Sequence, residues 1–504
     1  MEAKQYRFIK ILGLLFVLAT IFHVFYASCS QRALYLDGSF FMTLFLDRIA
    51  NRDFSLLTIS EHPRQMVLNL TNFPVMAAGF LFKNVTDKSF FSMIYSFAWF
   101  GLPVLGLFWN YKLTQRTKQY ANLFLSIFTY GAIILLYQIF ALVETGVGVP
   151  LQFVLLNYLT GKIDYTKWDK IGIGFILVMM FGIYEHTILI GILLFMIMFT
   201  CLYDEENPHN LLTKIIIGAG SLGASFYTIF FVIMSKSEHE DGKRFLKEMV
   251  DFFPLWNKLC ILISIVTVVL LVAILIYKKN KPLSNKAIAL FSGLYIYLFF
   301  YMLSYHYDFI NPVYEQHSRG LIMWAVPLMF LGIFVSRIKK FPECKALIEK
   351  LYVPVLLCAI TTTAWQVVTT YFWNENVSYL INEVKKCESP LYMPSYEEDK
   401  EISSFWNQYG RRFIWNANIV TTALVVIPDY NVKSLVMHYN TERDKSNPTL
   451  RAMQFVNTEK GLIGMPYYCA VKIKNKFWDL TKPAKALDKY NKEHSVQTME
   501  NEFQ

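Results

Sequence analysis

Residues 8–28 read FIKILGLLFVLATIFHVFYAS. This stretch decides the fold class. A helix that crosses the roughly 30 Å hydrocarbon core of a bilayer needs about 20 mostly apolar residues, and this run supplies them with Lys10 as its only formal charge. It also recurs in kind. Comparable runs lie at 89–109, 121–142, 213–235, 257–277, 285–304, 320–336 and 351–370. The whole chain of 504 residues has the matching composition: 55% hydrophobic, 17% aromatic and 17% charged, with a mean hydropathy of +0.34. Soluble domains carry about 25% charged residues. A disordered chain, a collagen-like chain and a small disulfide-built secreted domain are excluded.

Two regions need closer reading. Residues 147–160 (VGVPLQFVLLNYLT) are short and contain Pro150. Residues 170–203 are too long for one crossing and too short for two full ones, and the polar triplet Glu185-His186-Thr187 breaks them. Taken as one short helix and two short helices, they bring the expected number of segments to about eleven.

The loop charges favour an odd number. Lys4, Arg7 and Lys10 precede the first run; Lys112, Arg116 and Lys118 follow the second; Lys162, Lys167 and Lys170 follow the fourth. Lys278, Lys279, Lys281 and Lys286, then Arg337, Lys339, Lys340, Lys345 and Lys350, complete the set. With eleven segments all of them share the side of the N-terminus, which the positive-inside rule makes cytoplasmic. The formal charge of +10 is thereby a topology signal, and nucleic acid is not expected as a partner. Residues 8–28 have a basic leader but no good small-x-small cleavage site, so they are expected to stay as the first span.

The expected architecture is an all-α polytopic membrane protein with a small C-terminal mixed α/β extracytoplasmic domain. The transmembrane domain covers 1–370, including a large first outer loop, 29–88, that carries interfacial helices. The extracytoplasmic domain covers 371–504. Within it, 376–386 and 397–409 read as helices, IVTTALVVI (419–427) and SLVMHY (434–439) as strands, with AMQFV and YYCAVKI adding further strands. Trp373, Trp406 and Trp415, beside Arg411 and Arg412, suit either sugar stacking or anchoring at the membrane interface. Seven cysteines show no metal-ligand spacing; a Cys387–Cys469 bridge is open, since sequence does not fix connectivity. Sequons at Asn69, Asn84 and Asn376 all fall on the outer side.

Polar residues concentrate at that outer side. Asp37 follows the first span in Tyr35-Leu36-Asp37-Gly38. Residues 38–50 then place Phe41, Leu44, Phe45 and Ile49 on one helical face and Asp47 and Arg48 on another. Asp53-Phe54-Ser55 makes a turn, Glu61-His62-Pro63-Arg64 follows, and 64–82 reads as a second helix kinked near Pro74. Asp37 suits a helix N-cap as well as a catalytic acid or base. His62 and Arg64 suit lipid-headgroup contact as well as substrate binding. Glu185-His186 is a turn between helices or an ionisable pair held at the membrane for function. Residues 305–319 gather His306, Asp308, Glu315, His317 and Arg319. Arg319 could fork onto a lipid-linked phosphate or snorkel to headgroups.

This constellation resembles the first outer loop of the GT-C membrane glycosyltransferases, nearest the protein O-mannosyltransferase and aminoarabinose-transferase branch. There an acidic residue follows the first span, and a His-Pro-Pro element comes one interfacial helix later. The 305–319 loop is similar to the Arg-Tyr element that opens a late span in that superfamily. The sequence departs from the pattern at Gly38, where the family carries a second acidic residue, at Arg64 in place of a second Pro, and at Gly320 in place of Tyr.

The resemblance implies a GT-C-like fold and transfer of a sugar from a polyprenyl-phosphate donor to an outer-face acceptor: lipid, glycan or protein. It implies Asp37 as the base, Arg64 and Arg319 at the phosphate, and His62, Glu185, His186 and His317 as further substrate contacts. A divalent cation serves some of the wider superfamily, but no ligand spacing here implies a metal site. The expected location is a bacterial inner membrane. Two other readings stand beside it: a transporter or flippase of a lipid-linked substrate, and a non-catalytic membrane scaffold. No GxxxxGKS, GxGxxG or GxSxG element supports an ATP-driven pump, a dinucleotide enzyme or a serine hydrolase.

Overall fold

The computed structural model describes residues 3–34, 37–55, 65–135, 145–183, 186–202, 210–234, 326–327, 329–334, 337, 345–392, 419–429, 431–432, 435–436, 455–458, 461–464 and 469–493. These residues are mostly helical. Four of their helices are long and apolar enough to cross a membrane: Arg7–Cys29, Lys88–Thr117, Leu211–Phe230 and Leu351–Lys386. The chain is accordingly an α-helical integral membrane protein. The spans expected at 257–277 and 285–304 lie outside the described residues, and that at 320–336 lies largely outside them.

The helices in chain order are α1 Ala3–Cys29, α2 Asp37–Ala50, α3 Gln65–Leu81, α4 Lys88–Thr117, α5 Tyr120–Thr129, α6 Thr145–Thr160, α7 Lys167–Met180, α8 Thr187–Leu202, α9 Leu211–Met234 and α10 Lys345–Lys386. A 3-10 turn at Arg32–Leu34 links α1 to α2, and α5 runs into a π turn at Tyr130–Ile134. The segment 170–203 does break at the polar triplet, into α7 and α8. The 14 to 16 residues of α6, α7 and α8 reach about 24 Å at most, short of a full crossing. In the C-terminal segment follow β1 Leu391–Tyr392, α11 Ile419–Val426, β2 Leu435–Val436, β3 Phe455–Thr458, β4 Gly461–Gly464, β5 Cys469–Val471 and α12 Thr481–Glu493. β1 and β2 pair in parallel; β3, β4 and β5 form an antiparallel sheet in that order.

Residues 419–427, expected as a strand, are therefore helical. The β-branched composition favours a strand, but residues 422–427 are buried, and a helix satisfies its own backbone there. The Lys88 ammonium donates to the Leu424 carbonyl at 2.9 Å, a cation where a helix C-terminus leaves acceptors open. The Cys387–Cys469 bridge that the sequence left open is not formed: Cys387 is a free thiol, and its Sγ lies 3.5 Å from the Ser389 carbonyl oxygen. The sequon residue Asn376 is buried and bonds back to Phe372, so that site is closed to a glycan.

The chain forms two compact units, neither continuous in sequence: Met1–Phe22, Leu57–Leu68 and Leu102–Gln366 make the first, and His23–Leu56, Asn69–Gly101 and Val367–Gln504 the second. In the first, small residues let α8 and α9 touch. A Cβ on Gly191 would run into the Ser221 carbonyl, and one on Gly218 into Met198. Polar side chains fix the other helices. Arg116 grips Asp169 with two bonds of 2.8 and 2.9 Å. The same carboxylate accepts from Tyr158 at 2.9 Å and from the Thr166 amide and hydroxyl at 2.8 Å each, closing a capping box on α7. Deeper, Asn157 bonds Asn110 at 2.9 Å and Thr114 at 2.7 Å, and accepts from Thr117 at 2.6 Å. In apolar surroundings each of these groups needs its partner.

Two outcomes are expected. Asp169→Ala strands a guanidinium, a phenol and a helix cap together, and lowers stability by about 3 kcal/mol. Gly191→Ala wedges α8 from α9 and costs about 2 kcal/mol. Both are checked by SDS-titration unfolding of the purified protein in mixed micelles, and a loss below the scatter of wild-type repeats contradicts either one.

Candidate functional site

Among the sequence-derived site residues, His62, Arg64, Glu185, His317 and Arg319 lie outside the described residues. Asp37 opens α2 in the second unit. His186 stands just before α8 in the first unit.

The start of α2 is fixed by close packing. A Cβ built on Gly38 would overlap the carbonyl of Ala33 and reach to 3.5 Å from the Tyr95 ring. Ala33 in turn donates its amide to the Ser96 hydroxyl of α4 at 3.2 Å. A glutamate at position 38, where the resembling family carries its second acid, does not fit this turn. α2 therefore opens at Asp37 with no room for a second acid beside it. Among the described residues, no three His, Cys, Asp or Glu side chains converge on one point.

Around that turn the second unit buries polar groups. Arg32, five residues before Asp37, is 1% exposed, its guanidinium 5.8 Å from the centroid of Trp373. Trp373 is itself fully buried and donates to the Ser30 carbonyl at 2.8 Å; Asn374 donates to the Ser30 hydroxyl at 2.8 Å. Trp373 is therefore neither an interfacial anchor nor an open stacking surface, but the cover of a buried cation. His23 of α1 packs edge-on against Phe100 at 5.2 Å. His23, Ser92, Trp99 and Asn72 are all buried, and each holds a polar atom that meets no hydrogen-bond partner among the described residues. Such atoms cost about 1–3 kcal/mol apiece unless water or a polar ligand meets them.

The far end of α2 corrects the amphipathic reading. Asp47, expected on a polar outer face, is 6% exposed. Its Oδ1 accepts from the Lys472 amide at 3.1 Å and Asn475 Nδ2 at 2.8 Å, and its Oδ2 from Asn51 at 3.0 Å. Asn475 then accepts from the amides of Phe477 and Trp478, and Trp478 donates to the Lys472 carbonyl at 3.0 Å. The segment 472–480 is thereby wound into a knot on α2. No sequence signal announces this, because the partners lie more than 400 residues apart. Arg48 does remain at a polar edge, paired with Asp53 at 3.1 Å.

In the first unit His186 is fully buried. Its Nε2 lies 2.9 Å from the Gln152 amide oxygen, Gln152 reaches the Thr187 hydroxyl at 3.3 Å, and the Ser225 hydroxyl donates to the Thr187 carbonyl at 3.1 Å. His186 is thus part of a buried polar chain across α6, α8 and α9.

Against protein-family models, curated proteins and solved structures alike, the sequence finds no match.

Two electrostatic signs follow in the second unit. Burial, partly offset by Asn475 and Lys472, raises the Asp47 pKa above 3.8. Folding then favours the protonated form, so its share of stability is lost as pH rises from 3.8 through the raised value. Asp479, bonded to Lys474 and Thr481, is pulled down to about 2; its share is present above 3.8 and lost as pH falls toward 2. Amide exchange of residues 472–480 is expected to quicken as pH rises above 3.8, after correction for intrinsic rates, and Asp47→Asn is expected to flatten that slope. An unchanged slope in the variant refutes the assignment.

Proposed function

We propose that the protein is an integral membrane glycosyltransferase that moves a sugar from a polyprenyl-phosphate donor to an outer-face acceptor: lipid, glycan or protein. The observation that carries this reading is the start of α2 at Asp37, after the first span, where the Gly38 backbone is set against the Ala33 carbonyl. The unmatched buried polar atoms of the same unit suit a hydroxylated ligand.

In this reading Asp37 takes the proton of the acceptor hydroxyl. The acceptor oxygen forms a bond to the anomeric carbon as the bond from that carbon to the phosphate oxygen breaks, with inversion, and the phosphate leaves with the electron pair. Arg64 and Arg319 neutralise the leaving group. His62, Glu185 and His317 are the further contacts that the resemblance implies, whereas His186, fully buried on Gln152, links helices. Among the described residues no ligand set calls for a divalent cation, and Gly38 stands where a second carboxylate would be needed beside Asp37. The N-terminus is cytoplasmic, the C-terminal segment extracytoplasmic, and the membrane a bacterial inner membrane.

A second reading, transport or flipping of a lipid-linked substrate, draws on the buried polar chain through His186, Gln152 and Ser225, since polar groups inside a span mark substrate paths. It needs no acid at position 37. A non-catalytic scaffold needs neither.

Asp37→Asn, inserted and expressed at the wild-type level in the native host, is expected to lower transfer about 100-fold or more and to remove one sugar from one envelope glycoform by mass spectrometry. A glycan profile equal to wild type, in a host where deletion changes it, makes Asp37 a helix cap only and moves transport ahead.

A further inference from the structure

The C-terminal end of α3 carries three bulky apolar side chains to the surface of the second unit. Phe80, Leu81 and Phe82 are 55%, 70% and 49% exposed. They are held rather than loose: Phe80 meets Phe54 edge-on at 5.6 Å, and Phe82 meets Phe90 at 5.4 Å.

Three cations gather beside this tip. The Lys83 ammonium stands 5.1 Å from the Phe80 centroid. Lys476 reaches in from the C-terminal knot, donating to the carbonyls of Lys83 at 3.1 Å and Val85 at 3.3 Å; its ammonium lies 4.7 Å from the Phe477 centroid. Arg52 is exposed and stands two residues before the Phe54 that packs on Phe80, and its charge, after burial, helps lower the Lys476 pKa. The neighbouring acids are engaged elsewhere. Asp53 binds Arg48 and Ser55, Asp479 binds Lys474 and Thr481, and Asp87 accepts from the Ser89 amide. Among the described residues no carboxylate pairs with Arg52, Lys83 or Lys476.

Like charges held together are costly unless an anion joins them. An apolar tip with a cationic rim complements one surface above others, the boundary where lipid phosphates lie level with the cations and acyl chains take the tip. We propose that Arg52, Lys83 and Lys476, around the tip Phe80–Phe82, form a docking site for the phosphate of an anionic lipid headgroup. The chain's membrane embedding brings that partner within reach. The site works whether or not Asp37 transfers sugar, and it fixes the end of α3 at the headgroup level.

The test uses the full-length protein in a neutral detergent, with phosphatidylglycerol or phosphatidylcholine added at equal concentration. Retained lipid is counted by native mass spectrometry, and the unfolding midpoint is followed in parallel. Wild type is expected to retain phosphatidylglycerol in preference and to unfold at a higher temperature with it. Each surface cation is worth about fivefold, so Arg52→Gln with Lys83→Gln is expected to weaken retention about 25-fold. Both side chains are exposed, so the fold is expected to survive, and Lys476 keeps its carbonyl contacts. Lys482→Gln with Lys485→Gln, on exposed α12 positions, is expected to change nothing. Phe80→Ser with Phe82→Ser is expected to weaken retention of both lipids. Unchanged phosphatidylglycerol retention in the Arg52/Lys83 variant overturns the site. So does an equal loss in the Lys482/Lys485 control, which means diffuse attraction. A midpoint shift given equally by inorganic phosphate assigns the cations to a free anion and overturns the lipid.

Discussion

The buried carboxylate of Asp47 is the constraint on which the second unit depends. Three donors meet it, and two of them, Lys472 and Asn475, come from a segment more than 400 residues away in sequence. Each oxygen that lost water in folding has a protein donor in exchange, which is the condition for burying such a group. The consequence runs through the knot at 472–480. Asn475 orients the amides of Phe477 and Trp478, and Phe477 packs edge-on against Phe91 of α4 at 5.6 Å. The C-terminal segment is therefore part of the structure that holds α2, rather than an appendage to it.

The other end of α2 is fixed by the absence of a side chain. Gly38 sits against the Ala33 carbonyl, so the backbone at the start of the helix is set by contact and has no room for a larger residue there. α2 is thereby held at both ends. The buried Arg32 under Trp373 adds a cation to the same unit.

The first unit is held by a different economy. Three of its helices, α6, α7 and α8, are short, and apolar contact with lipid does not order helices relative to each other. Close glycine contacts between α8 and α9 and the polar sets around Asp169, Asn157 and His186 do so instead. Lipid competes with apolar packing but offers nothing to an amide or a carboxylate, so these few groups decide how the helices meet.

Much of this was legible in the residue order. The helical membrane class, the break between α7 and α8, the helix after Asp37 and the helix through Pro74 all follow from hydropathy and periodicity, which act over one or two helical turns. The strand expected at 419–427 did not form, because burial of that run and the Lys88 cap outweighed its β-branched composition. Asp47, Arg32 and Trp373 were misjudged or missed, and the reason is shared. Amphipathic patterning says which face of a helix is polar, but not whether water or a distant chain segment covers it. The sequence by itself determined that this chain lives in a membrane as helices and where an acid follows its first span. Only the tertiary structure decided which polar groups are buried together, since that depends on contacts between segments whose separation along the chain leaves no periodic trace.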